Sequence, residues 1–91
     1  MASARATVRL INRHGLHARP AHLFVQTANR YTSAVTVGRA GHDRVNGKSI
    51  MGMMMLAAEH GAELEIHAEG PDAVAQVAAL QDLIERGFGE E

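Results

Sequence analysis

The hexapeptide Gly15-Leu16-His17-Ala18-Arg19-Pro20 sets a histidine at the mouth of a helical pattern, with an arginine two residues on. A neutral imidazole is a nucleophile toward phosphorus. A helix N-terminus offers positive potential and N–H groups that lack an intrahelical partner. It therefore suits an uncharged ring before reaction and an anionic product afterwards. Gly15 frees the backbone to turn the ring outward. Arg19 carries a planar fork of donors matched to phosphate oxygens. Its position in a first helical turn runs against the dipole, a local conflict expected where function overrides stability. These residues point to phosphoryl chemistry, with His17 as acceptor, Arg19 as stabiliser and the backbone of Ala18 and Arg19 as cradle. Local spacing alone leaves an ordinary capping or solvated histidine open.

A second block, Lys48-Ser49-Ile50-Met51-Gly52, opens another helical segment. Ser49 is placed as an N-cap, and a phosphate added there would meet a favourable dipole. The run from Ile50 to Ala58 is apolar on every side of its helix. If Met53, Leu56 and Ala57 face the core, Met51, Met54 and Met55 lie partly exposed. Flexible, polarisable thioethers suit a face that docks several partners in turn. A fully buried helix is the plainer alternative. His14 and His17 form an H-x-x-H pair, but the Gly-Leu between them and the want of a third ligand argue against a metal. His22 follows His17 by little more than one turn and is either a solvated residue or a modulator of charge around it. His42, His60 and His67 need no function.

The elements that position these residues follow from periodicity. Arg5 to Ile11 alternates, with Ala6, Val8 and Leu10 on one face. Ala21, Phe24, Val25 and Ala28 mark an amphipathic helix from Ala18 to about Arg30, with Pro20 in its first turn. Ser33 to Val37 predicts a second strand, and Arg44-Val45-Asn46 a short third one beyond the turn residues Gly38 to Gly41. The Met-rich helix is expected to close at Gly61. Leu64, Ile66 and Ala68 alternate with polar neighbours as a fourth strand. Pro71 is expected at the first position of a last helix, with Asp72 in its first turn and Gly87 at its end. The order is β-α-β-β-α-β-α. One-sided strands favour an α+β fold, with a four-stranded mixed or antiparallel sheet and three helices on one face. The whole chain, 1–91, is expected to be one domain.

Both blocks, their separation and the element order resemble HPr, the histidine phosphocarrier family of the bacterial phosphoenolpyruvate-dependent phosphotransferase system, over essentially the whole chain. The resemblance implies the family's open-faced β-sandwich. It implies a phosphoryl group carried on Nδ1 of His17, assisted by Arg19, and Ser49 as target of an HPr kinase/phosphorylase. It also implies Enzyme I as donor, a histidine on an Enzyme IIA domain as acceptor, and a carrier rather than an enzyme. The face formed by Ala18, Pro20, His22, Ile50, Met51 and Met54 would receive these partners. The Met-rich helix and the Gly87-Phe88-Gly89-Glu90-Glu91 tail resemble proteins of the nitrogen-related branch more than the enteric sugar carriers.

Composition bounds the rest. Nine Lys and Arg against ten Asp and Glu leave a formal net charge of −1, with one tyrosine, two phenylalanines and no tryptophan. A small α+β nucleic-acid-binding domain is disfavoured by that near-neutral charge and the missing stacking platform. The chain has no cysteine, so disulfides and thiolate zinc sites are excluded. No apolar stretch reads as a signal peptide or membrane span. A monomeric cytoplasmic carrier needing no cofactor or metal is expected. Its rival is a regulatory module of the same fold, whose phosphorylation state selects partners.

Overall fold

Alternation of apolar and polar side chains builds the sheet, and the structure, a computed structural model, describes residues 2–89. β1 (Ser3–Arg9) leads through α1 (Ala18–Ala28) to β2 (Ala34–Gly38) and β3 (Val45–Asn46). α2 (Ile50–Met55), β4 (Glu63–Glu69), α3 (Ala73–Glu85) and a short 3-10 turn over Gly87–Gly89 follow. The strand order is β1-β4-β2-β3, and every neighbouring pair is antiparallel. β4 is inserted last between β1 and β2, with Ala6 and Val37 both opposite Ile66.

One sheet face is apolar and buried: Val8, Val35, Val37, Leu64, Ile66 and Ala68. Against it lie Ala21, Phe24, Val25 and Ala28 of α1, Met53 of α2, and Ala73, Val77, Leu80, Leu83 and Ile84 of α3. Each fully buried Leu, Ile or Phe contributes about 1.5–3 kcal/mol relative to exposure. The other face is polar and solvated. Arg9 pairs with Glu63 at 3.2 Å and Arg44 with Glu65 at 2.9 Å across it. Both are exposed pairs of small energetic weight.

β1 runs over Ser3–Arg9 rather than Arg5 to Ile11, leaving Leu10 buried just past its end, and three expected helix boundaries move as well. α1 ends at Ala28 rather than Arg30, with Asn29 as its C-cap. α2 ends at Met55, not Gly61: Leu56 is its C-cap and Ala57 turns left-handed, at φ 50°. Ala57 is therefore exposed, and Ala58 takes the buried place expected for it. The irregular segment after α2 is held by tertiary bonds. Ala58 C=O accepts from Leu16 N–H at 2.9 Å, Gly61 N–H donates to Leu10 C=O at 2.8 Å, and Ala62 C=O accepts from Leu10 N–H at 2.9 Å. The Arg39 Nε–H donates to Leu56 C=O at 2.7 Å and closes the helix end with a cation.

The third shift concerns α3, which starts at Ala73, so Pro71 and Asp72 precede it. Asp72 holds the N-cap position without capping its own helix. Its carboxylate instead accepts from the backbone N–H groups of Thr32 and Ser33, each at 2.9 Å, and from the Ser33 hydroxyl. The Asp72 N–H donates back to Ser33 Oγ at 3.0 Å. This clamp ties the start of α3 to the chain entering β2. The tail turns back after α3, burying Phe88; Glu90 and Glu91 of the tail noted above lie outside the described residues.

Candidate functional site

His17 is the N-cap of α1, with extended backbone at φ −82° and ψ −170°. Its carbonyl accepts from Ala21 N–H at 3.0 Å, the first bond of the helix. The N–H groups of Ala18 and Arg19 lie in the first turn, where no intrahelical acceptor exists, and they donate to no group among the described residues. Pro20 has no N–H to leave unmet, which lets proline sit in this turn at little cost. The first turn carries no acidic side chain. Ala18 and Arg19 are exposed and His17 is half-buried. The arrangement presents two backbone donors, one guanidinium and one imidazole at a single helix end, which is the chemistry of an anion-receiving site.

The loop before the helix fixes the ring's position. Asn12 is buried, and its Nδ2 donates to Gly15 C=O at 2.7 Å, while Gly15 N–H donates to Asn12 C=O at 3.2 Å. The tight turn from Asn12 to Gly15 is thus bonded twice. Gly15 is left-handed at φ 66° and lies directly on Ala58 and Glu59, where a β-carbon would come within 2.6 Å of the Ala58 carbonyl oxygen. Leu16 is buried and bonded to Ala58. The ring of His14, at the tip of the turn, stands edge-on to that of His17, with centroids 5.9 Å apart and planes at 83°. Sequence reasoning treated His14 only as half of an H-x-x-H pair and passed over Asn12. The signal for Asn12 was its three-residue spacing to Gly15, the spacing of a side-chain-stabilised turn.

Ser49 caps α2, its Oγ accepting from Gly52 N–H at 2.9 Å. Lys48 Nζ donates to Tyr31 C=O at 2.7 Å. α2 packs against α1, and the Leu16–Ala58 bond brings its C-terminal side to the His17 loop. Ser49 therefore marks the opposite end of a helix about 9 Å long. Between these two ends Ile50, Met51, Met54 and Met55 are exposed, while Met53 is buried. His22 is exposed on α1.

Pro20 departs from its expected place on the docking face. It is fully buried, because the third position of α1 points into the core beside Ala21 and Phe24. A surface trough lies elsewhere, at the β2–β3 turn, lined among others by Arg39, His42, Arg44 and Glu65. It contains no residue of the His17 loop. Among the described residues no cluster of three or more His, Asp or Glu is placed to hold a metal. No helix of the described residues is long and apolar enough to cross a membrane.

Comparison with known proteins gives a consistent result. The family model described as "PTS HPr component phosphorylation site" matches residues 4–86. The chain is 52% identical to the phosphocarrier protein HPr of Treponema pallidum, covering 93% of this chain and 96% of that one. It is 42% identical to part of the multiphosphoryl transfer protein of Vibrio cholerae, spanning 22% of that larger protein. Among solved structures, HPr-C-His of Thermoanaerobacter tengcongensis superposes with a TM-score of 0.91 at 46% identity, covering 97% of this chain and 98% of the other.

Proposed function

The chain belongs to the HPr family of phosphocarriers, and from that premise we propose that its phosphoryl group is carried on His17 between Enzyme I and an Enzyme IIA domain. HPr proteins are phosphoryl carriers of the phosphotransferase system, not enzymes. The observation that carries the assignment to this residue is the position of His17. It caps α1 directly before two first-turn N–H donors, in a turn with no acid.

The neutral ring attacks phosphorus through Nδ1. The bond from phosphorus to the phosphorylated donor breaks as the bond to Nδ1 forms. Nδ1 is the ring nitrogen nearer the backbone, so a group on it lies over the helix N-terminus. There the N–H groups of Ala18 and Arg19 receive its oxygens, and the Arg19 guanidinium offsets their charge. Phosphoryl transfer rests on positioning and electrostatics, which is what the doubly bonded turn before His17 supplies. The exposed face of α2 with Ile50, Met51 and Met54, together with Ala18 and His22, receives donor and acceptor in turn. Phosphorylation of Ser49 by an HPr kinase/phosphorylase would add negative charge at the edge of that apolar face and weaken docking. The chain acts as a single domain over 1–91.

The test is incubation with Enzyme I and labelled phosphoenolpyruvate. An acid-labile, base-stable phosphoprotein is expected, absent in His17→Ala. Arg19→Gln should transfer about 10–100-fold more slowly, the loss of one charge-assisted contact worth roughly 1.5–3 kcal/mol. Label retained in His17→Ala would overturn the assignment. Stable binding to a target with no onward transfer to an Enzyme IIA domain would favour a regulatory module over a carrier.

A further inference from the structure

The sulfur of this chain is gathered in one place. There is no cysteine, and four of the five methionines stand at positions 51, 53, 54 and 55. α2 sorts them sharply by access. Met51 is 73% exposed, Met55 71% and Met54 44%, whereas Met53 is 0% exposed. Met51 and Met55 are four residues apart and share one helix face. We propose that Met51 and Met55 form a reversible oxidation site through which hydroperoxides weaken docking at α2. The proposal rests on the reading above, in which the exposed face of α2 with Ile50, Met51 and Met54 receives donor and acceptor, and it adds Met55, exposed one turn beyond Met51, to that face.

The step is a two-electron oxidation. A thioether lone pair attacks one oxygen of hydrogen peroxide, and the S–O bond forms as the O–O bond breaks. Proton transfer to the departing oxygen releases water. Methionine becomes its sulfoxide and the peroxide is reduced to water. Methionine sulfoxide reductases reverse the change with thiol electrons. Accessibility selects the residues, because a buried sulfur such as Met53 cannot be reached without opening the core.

The consequence falls on docking rather than on folding. In the free chain both sulfoxides point to water, and the helix keeps its Ser49 cap and its buried Met53 anchor. Against an apolar partner surface the same sulfoxides are strong acceptors without donors, and they lose the conformational adaptability that suits a thioether to several partners. His17 and the turn that holds it are untouched, so the chemical step is preserved. With no thiol in the chain, no other sulfur competes for the oxidant apart from Met54 and Met1.

The experiment treats the full chain with graded hydrogen peroxide, maps oxygen addition by peptide mass spectrometry, and measures Enzyme I-dependent phosphorylation. Met51 and Met55 should gain oxygen before Met53. The KM for the chain should rise about tenfold with kcat retained, and methionine sulfoxide reductases A and B with dithiothreitol should restore it. The Met51→Leu/Met55→Leu chain is compared with itself before and after peroxide, and its KM should not change. Oxidation of Met53 at the rate of Met51, an unchanged KM in the doubly oxidised chain, or a peroxide-sensitive KM in the double variant each overturns the proposal. An unoxidised chain that takes no label removes the carrier reading and the docking consequence with it. Ordered oxidation with unchanged KM removes this proposal alone.

Discussion

Gly15→Ala tests the link between the fold and His17, the proposed phosphoryl carrier. The added β-carbon would stand 2.6 Å from the Ala58 carbonyl oxygen and 2.7 Å from the Glu59 Cα. Both are backbone atoms, so neither can swing aside as a side chain would. The residue is also left-handed, at φ 66°, which costs an L-residue about 1–2 kcal/mol. Forcing extra volume into a packed contact adds roughly 1–3 kcal/mol. The combined destabilisation is about 2–5 kcal/mol, read by urea unfolding or as a fall in Tm of at least ~8 °C. Gly41→Ala is the internal control. Gly41 is left-handed at φ 81° but has nothing within 4 Å of an added β-carbon, so it should lose only about 1–2 kcal/mol. The loop in Gly15→Ala must also move, carrying His17 from its place, and phosphorylation should slow by about 10–100-fold beyond any loss of folded protein. If the two variants were equally stable, the close approach of the loop to Ala58 and Glu59 would be refuted. If Gly15→Ala were destabilised but transferred normally, the loop would not position the ring.

Two further perturbations address the clamp and the cap. The Ser33 hydroxyl, then the Thr32 and Ser33 N–H groups, hold the Asp72 carboxyl at about 2, down from 3.8. A depressed carboxyl contributes stability that is whole above 3.8 and is lost as pH falls toward about 2. Thermal melts of the wild-type chain should therefore drop across that window, and Asp72→Asn should be less stable at neutral pH with a flatter acid limb; parallel curves would show that the clamp carries no such linkage. Ser49→Ala removes the acceptor for Gly52 N–H and should cost about 0.5–2 kcal/mol. Ser49→Asp, which keeps an acceptor at the cap, should recover most of that in the same melt while weakening partner docking. A Ser49→Asp chain as unstable as Ser49→Ala would discount the cap.

What the sequence determined by itself was whatever rests on local period and local chemistry. The alternation of Leu64, Ile66 and Ala68 marked β4, and the spacing of Ala21, Phe24, Val25 and Ala28 marked α1. A histidine before a proline-containing first turn marked the N-cap, because capping geometry depends only on neighbours. A helix with more apolar faces than one core contact can cover pointed to exposure of Met51, Met54 and Met55 but left a fully buried helix open, and the fold exposes all three.

Tertiary structure decided what distant chain segments do to one another. Helical propensity ran on through Ala57 and Ala58, yet α2 stops at Met55: Leu56 and Ala57 N–H turn to the Met53 and Met54 carbonyls, Ala57 goes left-handed at φ 50°, and the Leu56 and Ala58 carbonyls are taken by Arg39 and Leu16. Asp72 was legible as an acid near a helix start, but its partners are Thr32 and Ser33, some forty residues earlier in the chain. Pro20 looked like part of a surface motif and is core, since its burial depends on which way α1 is rotated against the sheet. The edge-on contact of His14 with His17 required the folded turn. Period and capping are read along the chain; the turn of the helix that places His17 and Pro20 on opposite sides of the surface is set only when α1 packs.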